Sequence, residues 1–280
     1  MSCTVYFSGA GQARDFDVLA GEGAAAMVNA LRFLEARACV LDALRRHASM
    51  PVALDSGAYQ GADDVAAYAA VVRELEDRVT WYANLDVVGD QEASDDRLRQ
   101  LEAEELRPLY VYQVRGGTSV DELRRRAGER GFVGIGGLVP FALRSVTLAG
   151  RLELDRCIEA VGEALQAEGG RAHFFGLGGY RVLRKYGAEH WFGSCDSSRW
   201  IASAARRRLY CLDGSFFQSQ DLGLDLSVAE CAAQNVRQTA GWIARPAEKG
   251  GQLSIEFTTC SASPHSSPKT TRGAKSASMA

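Results

Sequence analysis

Short runs rich in β-branched and aromatic residues alternate with longer helix-patterned stretches along most of this chain, and that alternation is what most restricts its fold. The β-rich runs fall at residues 4–8, 51–55, 79–86, 109–113, 131–135, 172–176, 190–194 and 208–212. Helical patterns occupy 24–46, 63–77, 93–106, 120–130, 152–167, 180–186, 197–205 and 228–243. Strands alternating with helices of this length build βαβ units and hence a parallel sheet. A count of eight favours closure into a (β/α)8 TIM barrel, and the 280 residues suit one such domain, which typically takes about 250. The other arrangement is an open doubly wound sheet. Its glycine-rich phosphate loop would follow the first strand, where Ser8-Gly-Ala-Gly-Gln12 is only a partial match.

The expected organisation is a single α/β barrel domain over residues 1–260. A Ser-, Lys- and Thr-rich tail at 261–280 is too poor in apolar residues to bury a core and is expected to be disordered. A net charge of -3 argues against a generally basic nucleic-acid coat and leaves only a local basic face. The seven cysteines, at 3, 39, 157, 195, 211, 231 and 260, form no disulfide framework and no CxxC pair. No secretory leader is read at the N-terminus, and no apolar run approaches the roughly 20 residues of a membrane span. A cytoplasmic enzyme without membrane association is the expectation.

The chemistry-bearing residues gather at the ends of the expected strands. Asp55 ends the second, Asp86 the third and Gln113 the fourth; Gly136 and Gly137 follow the fifth, and Asp196 follows the seventh. The strand C-termini of a barrel converge on one mouth, where such enzymes carry their active sites. Each residue also has a plain structural reading. Asp196 before Ser197-Ser-Arg199 fits a helix N-cap, and Asp55 before Ser56-Gly57 fits turn chemistry. Asp86, between Leu85 and Val87, has no cap logic, and a buried carboxylate is costly unless something satisfies it.

Leu54-Asp-Ser-Gly-Ala-Tyr-Gln60, Asn84-Leu-Asp86, Tyr112-Gln-Val-Arg-Gly-Gly117, Gly134-Ile-Gly-Gly-Leu-Val139 and Phe175-Gly-Leu-Gly178 with Cys195-Asp-Ser197 occur in this order. Together they resemble the motifs of the tRNA-guanine transglycosylases and their DNA-modifying relatives, over about half the chain. The resemblance implies a pentosyltransferase that exchanges guanine in a nucleic acid for a 7-deazaguanine such as preQ0. It implies Asp196 as covalent nucleophile and Asp55 as general acid/base. Asp86 and Gln113 would read the guanine edge, since a carboxylate accepts from N1–H and the 2-amino group and an amide donates to O6 and N7. The backbone at Gly136 and Gly137 would donate to the carbonyl of the incoming base. Tyr59 could stack on the ring or serve as a core tyrosine.

The tRNA enzymes carry a close-spaced CxCxxC-plus-His zinc site, whereas Cys211, Cys231, Cys260 and His265 are widely separated here. The chain is therefore expected to need neither metal nor organic cofactor. It looks more like the branch that inserts 7-deazaguanine into DNA, with tRNA as the other candidate partner. Homodimerisation or partner subunits are further expectations. The competing readings are a tRNA enzyme without the zinc subdomain, another carboxylate-dependent barrel glycosidase, and a non-catalytic partner subunit.

Overall fold

The computed structural model describes residues 3–117 and 119–244. Its main sheet contains β1 (Thr4–Ser8), β2 (Ala25–Asn29), β3 (Val52–Asp55), β4 (Trp81–Tyr82), β5 (Val111–Gln113), β6 (Phe132–Gly136), β7 (Arg171–Phe174) and β8 (Phe192–Ser197). They run in the order β4-β3-β2-β1-β8-β7-β6-β5, with every pairing parallel. The two end strands meet through a parallel bridge between Ala83 and Leu109. There Leu109 N donates to Tyr82 O at 2.7 Å and Asn84 N to Leu109 O at 3.0 Å. The sheet thus curls back on its own edge, with helices between successive strands, in a TIM-barrel-like arrangement.

Side-chain alternation along the strands separates two layers of packing. Val5 and Phe7 of β1, Ala26 and Val28 of β2, and Val52 and Leu54 of β3 join the large core under the helices. Tyr6, Ala25, Met27 and Ala53 form a second cluster with Trp81 and Phe175. This inner cluster fills the curl of the sheet, small alanines facing bulky aromatics. The period of two then makes Ser8, Asn29 and Asp55 the next residues on the same face as Tyr6, Met27 and Ala53.

The strand count of eight agrees with the sequence reading, but only because two errors cancel. Residues 24–46 do not form one helix. They divide into β2 and α2 (Ala30–Arg46), with α1 (Ala13–Gly21) before them. Ala25, Ala26 and Met27 carry no strong strand propensity and are buried on both faces, so neither composition nor alternation marks them. The boundary is set by Asn29, whose Oδ1 accepts from Leu31 N at 3.1 Å and Arg32 N at 3.3 Å as the α2 N-cap. The expected eighth strand is not in the main sheet. β9 (Arg208–Tyr210) pairs antiparallel with β10 (Phe216–Gln218) outside it. Consequently Asp55 ends β3 rather than a second strand, Asp86 follows β4, Gln113 ends β5 and Gly136 ends β6. Asp196 lies within β8, not in a loop after a seventh strand, which removes its reading as a helix N-cap. Tyr59 sits in a turn and is 61% exposed, so it is no core residue.

The described residues all fall within one compact unit. The expected tail at 261–280 and the domain boundary at 260 lie outside the described residues, as do Cys260 and His265. Among the described residues, no helix is long and apolar enough to cross a membrane.

Candidate active site

The C-terminal end of every main-sheet strand supplies a polar or glycine position to the mouth. In spatial order these are Asp86 after β4, Asp55 on β3, Asn29 on β2, Ser8 on β1, Asp196 on β8, Gly176 after β7, Gly136 on β6 and Gln113 on β5. The sequence motifs anticipated five of these eight positions as site residues. Ser8, Asn29 and Gly176 were missed as functional, although Asn29 pairs directly with Asp55 and the other two donate to Asp196.

Both oxygens of Asp196 are engaged. Gly176 N donates to Oδ1 at 2.5 Å and Ser8 Oγ donates to Oδ2 at 3.1 Å. The loop after β7 can deliver that N–H because Gly176 adopts φ +72°, and Gly178 N donates to Asp196 O at 2.9 Å. Across the mouth, Asn29 Nδ2 donates to Asp55 Oδ2 at 2.6 Å and to Gln60 Oε1 at 3.2 Å. One asparagine therefore caps α2 and holds a catalytic candidate. Burial, then the negative charge of Asp196, push the Asp55 carboxyl up from 3.8 to about 7, against the opposing hydrogen bond from Asn29. A carboxyl at that value is half protonated near neutral pH.

Asp86 sits in the third arrangement. Gln113 Nε2 donates to its Oδ2 at 2.6 Å, and Ser56 Oγ approaches Oδ1 at 3.4 Å. Burial pushes its carboxyl up, against the hydrogen bonds from its own backbone and from Gln113. Gln113 is fully buried, and its Oε1 accepts from Gly89 N at 3.1 Å. One N–H of the amide thus holds Asp86 while its oxygen is held by the Gly89 backbone. Gly136 lies directly over it: a Cβ there would come within 2.5 Å of Gln113 Nε2. Gly137 has φ +76° and would place a Cβ 3.0 Å from Val114 O. The close approach to the amide favours glycine at 136, and the positive φ and the Val114 backbone favour it at 137.

A stability and binding effect follows. Gly136→Ala is expected to push the Gln113 amide off Asp86, at a cost of roughly 1–3 kcal/mol for overpacking together with the disturbed hydrogen bond. Thermal unfolding would show the lower stability. Gly117→Ala, in the same strand-end region but with open space around its Cβ, tests only the φ of +90° there and should leave Gln113 in place.

Among the described residues, no group of three or more His, Cys, Asp or Glu side chains is arranged to hold a metal ion. Cys231 is buried on α10 (Val228–Ala244), and Cys211 follows β9 in the outer hairpin segment, not in a barrel strand as expected.

No protein-family model matches this chain, and no curated protein matches it. Solved structures similar to it include a Coccidioides immitis protein assigned as a fructose-1,6-biphosphate aldolase. That likeness has 11% identity and a TM-score of 0.49, and covers 86% of this chain and 87% of the other. A variant of the citrate synthase SbnG shows 12% identity and a TM-score of 0.47, covering 71% of this chain and 87% of the other. An enolase from environmental sequencing of the Sargasso Sea shows 11% identity and a TM-score of 0.40, covering 70% and 54%. At these identities and TM-scores the likenesses carry no argument, and the fold and the chemistry of the mouth rest on this chain's own strand pairings and residues.

Proposed function

We propose that the chain is a guanine base-exchange transglycosylase on a closed (β/α)8 barrel, replacing guanine in a nucleic acid by a 7-deazaguanine through a glycosyl-aspartate intermediate. One observation carries the reading. Two carboxyl groups share the mouth in unlike environments: Asp196 accepts two hydrogen bonds, while Asp55 is pushed to about 7. Environments that separate two carboxyls in this way divide the roles of nucleophile and proton carrier.

In the first half-reaction, an oxygen of Asp196 bonds to C1′ as the C1′–N9 bond breaks, and the departing guanine takes the proton carried by Asp55. In the second, Asp55 recovers a proton from N9–H of the incoming 7-deazaguanine. N9 then bonds to C1′ and Asp196 leaves as the carboxylate. Protons and electrons balance without an added cofactor. Asp86, held by Gln113, accepts from the N1–H and 2-amino donors of the base, and the exposed Tyr59 supplies a face for stacking. Gln113 supports recognition through Asp86, and its second N–H is the donor for O6 or N7 of the base. DNA is the favoured polymer, because the cysteine spacing lacks the zinc-site motif of the tRNA enzymes. The target nucleotide leaves its stack to reach the mouth, at a cost of a few kcal/mol for a paired base.

Labelled-guanine exchange with DNA and tRNA side by side tests the reading: exchange into DNA supports it, exchange confined to tRNA moves it to the tRNA branch, and exchange into neither removes it. Within it, Asp86→Asn is expected to weaken binding of free guanine by about 1–3 kcal/mol, since a donor then faces the donors of the base. Isothermal titration with the base gives this directly, and unchanged affinity would take Asp86 out of the base site.

A further inference from the structure

Beneath Asp196 lies a buried histidine to which neither the motifs nor the reaction above gives a role. His173, on β7, is fully buried. Its Nδ1 is 2.9 Å from Ser194 Oγ, and its Nε2 lies 3.5 Å from Asp196 Oδ1. Among the described residues Nε2 has no hydrogen bond of good geometry, and the carboxylate is the acidic group beside it. Aromatic rings surround the imidazole: Phe175 at 4.5 Å, Trp81 at 4.7 Å and Tyr6 at 5.9 Å between centroids. Burial in that setting lowers its pKa, so the ring is neutral and carries one N–H. Ser194 is itself buried, so this Ser–His–Asp succession offers no exposed hydroxyl nucleophile. The group that reaches the mouth is the aspartate.

We propose that His173 is a positioning residue for Asp196: with Ser194 Oγ donating to Nδ1, the imidazole presents Nε2–H to Oδ1, which is thereby fixed and leaves Oδ2 as the oxygen that bonds to the sugar. The assignment of Oδ2 rests on the transglycosylase reading; the tautomer and its pairing with Asp196 do not. Oδ1 already accepts from Gly176 N at 2.5 Å, so Nε2–H gives it a second nitrogen donor. Among the described residues Oδ2 accepts from the rotatable Ser8 hydroxyl at 3.1 Å, which can turn away as the new bond forms. When the glycosyl ester breaks, negative charge returns to a carboxylate whose Oδ1 faces two fixed donors. Their effect is greatest as that charge develops, so His173 acts on the rate of the covalent steps and not on base affinity.

Two measurements test this. Nitrogen-15 NMR of the imidazoles in the intact wild-type protein, with His173→Phe for assignment, should show Nε2 of His173 as the protonated nitrogen, with a resonance that moves in Asp196→Asn. A protonated Nδ1, or no response to Asp196→Asn, overturns the proposal whether or not the protein exchanges bases. In kinetics, His173→Phe keeps an aromatic ring among Phe175, Trp81 and Tyr6 but loses the donor. It should lower kcat by roughly 10- to 100-fold, the range for loss of a hydrogen bond to a charged group, with KM nearly unchanged. His173→Gln, which restores an N–H, should recover part of the loss. A His173→Phe protein with wild-type kcat would show that the ring serves packing alone. A wild-type protein with no exchange at all would remove the functional reading and leave the NMR result to decide the pairing.

Discussion

Asp196→Ala is expected to abolish base exchange, with a loss on the order of 10⁴-fold or more, as for removal of an attacking group that has no substitute. The fold should tolerate the change. Asp196 contributes no apolar packing, and its removal relieves the repulsion that helps raise the Asp55 carboxyl. The affinity for free base should change little, because Asp86 follows β4 and Gln113 ends β5, away from β8. The same variant carries a second signature. Without the neighbouring negative charge, the Asp55 carboxyl should titrate below its present value of about 7, while burial still holds it above 3.8. Exchange of labelled guanine measures the first effect and a carboxyl titration by NMR the second. Substantial residual exchange would move the nucleophile elsewhere, with Asp55 the next candidate.

Asp55→Asn is expected to cost about 10²- to 10⁴-fold in rate, the usual contribution of a positioned proton carrier. It also has a stability consequence of definite sign. In the folded chain the carboxyl titrates near 7, above its ordinary 3.8, so the folded state holds the proton more tightly than the unfolded one. The stability this gives is fully present below about pH 4 and is lost as pH rises through 7, by up to roughly 4 kcal/mol for a shift of about three units. Asparagine does not titrate. Denaturant unfolding at pH 4 and pH 8 should therefore show the variant gaining on the wild type as pH rises. A constant difference between the two proteins across that range would contradict the raised carboxyl. In activity, the wild-type kcat/KM profile should bend near pH 7, and the bend should be absent in Asp55→Asn.

Most of the mouth was legible from the sequence because polar residues are rare at the ends of buried strands. Asp86 and Gln113 interrupt apolar runs, Asp55 ends one, and Asp196 stands out by its place at the end of the last β-rich run of the main sheet. Ser8 and Asn29 were harder to see. Ser8 ends a run beside a glycine-rich turn, and Asn29 stands at a strand–helix junction that was hidden because Ala25-Ala-Met-Val28 has the composition of a helix. Once β2 is recognised, Asn29 lies beside Asp55 by parallel register, since the two residues pair directly. His173 could not have been distinguished from a core histidine by sequence alone. Its significance comes from Ser194 and Asp196, which reach it only through the pairing of β7 with β8. The outer hairpin was mistaken for a barrel strand because Arg208-Leu-Tyr210 has strand propensity, and propensity does not say which sheet a strand joins.

The most direct test is to incubate the protein with guanine-containing DNA, and separately with tRNA, quench under denaturing conditions, and identify any adduct by peptide mass spectrometry. The account predicts a denaturation-resistant covalent complex with DNA, cleaved to a glycosyl modification on the peptide that carries Asp196, and no such complex with Asp196→Ala. Base exchange without an adduct, or an adduct mapped to a residue other than Asp196, would contradict it.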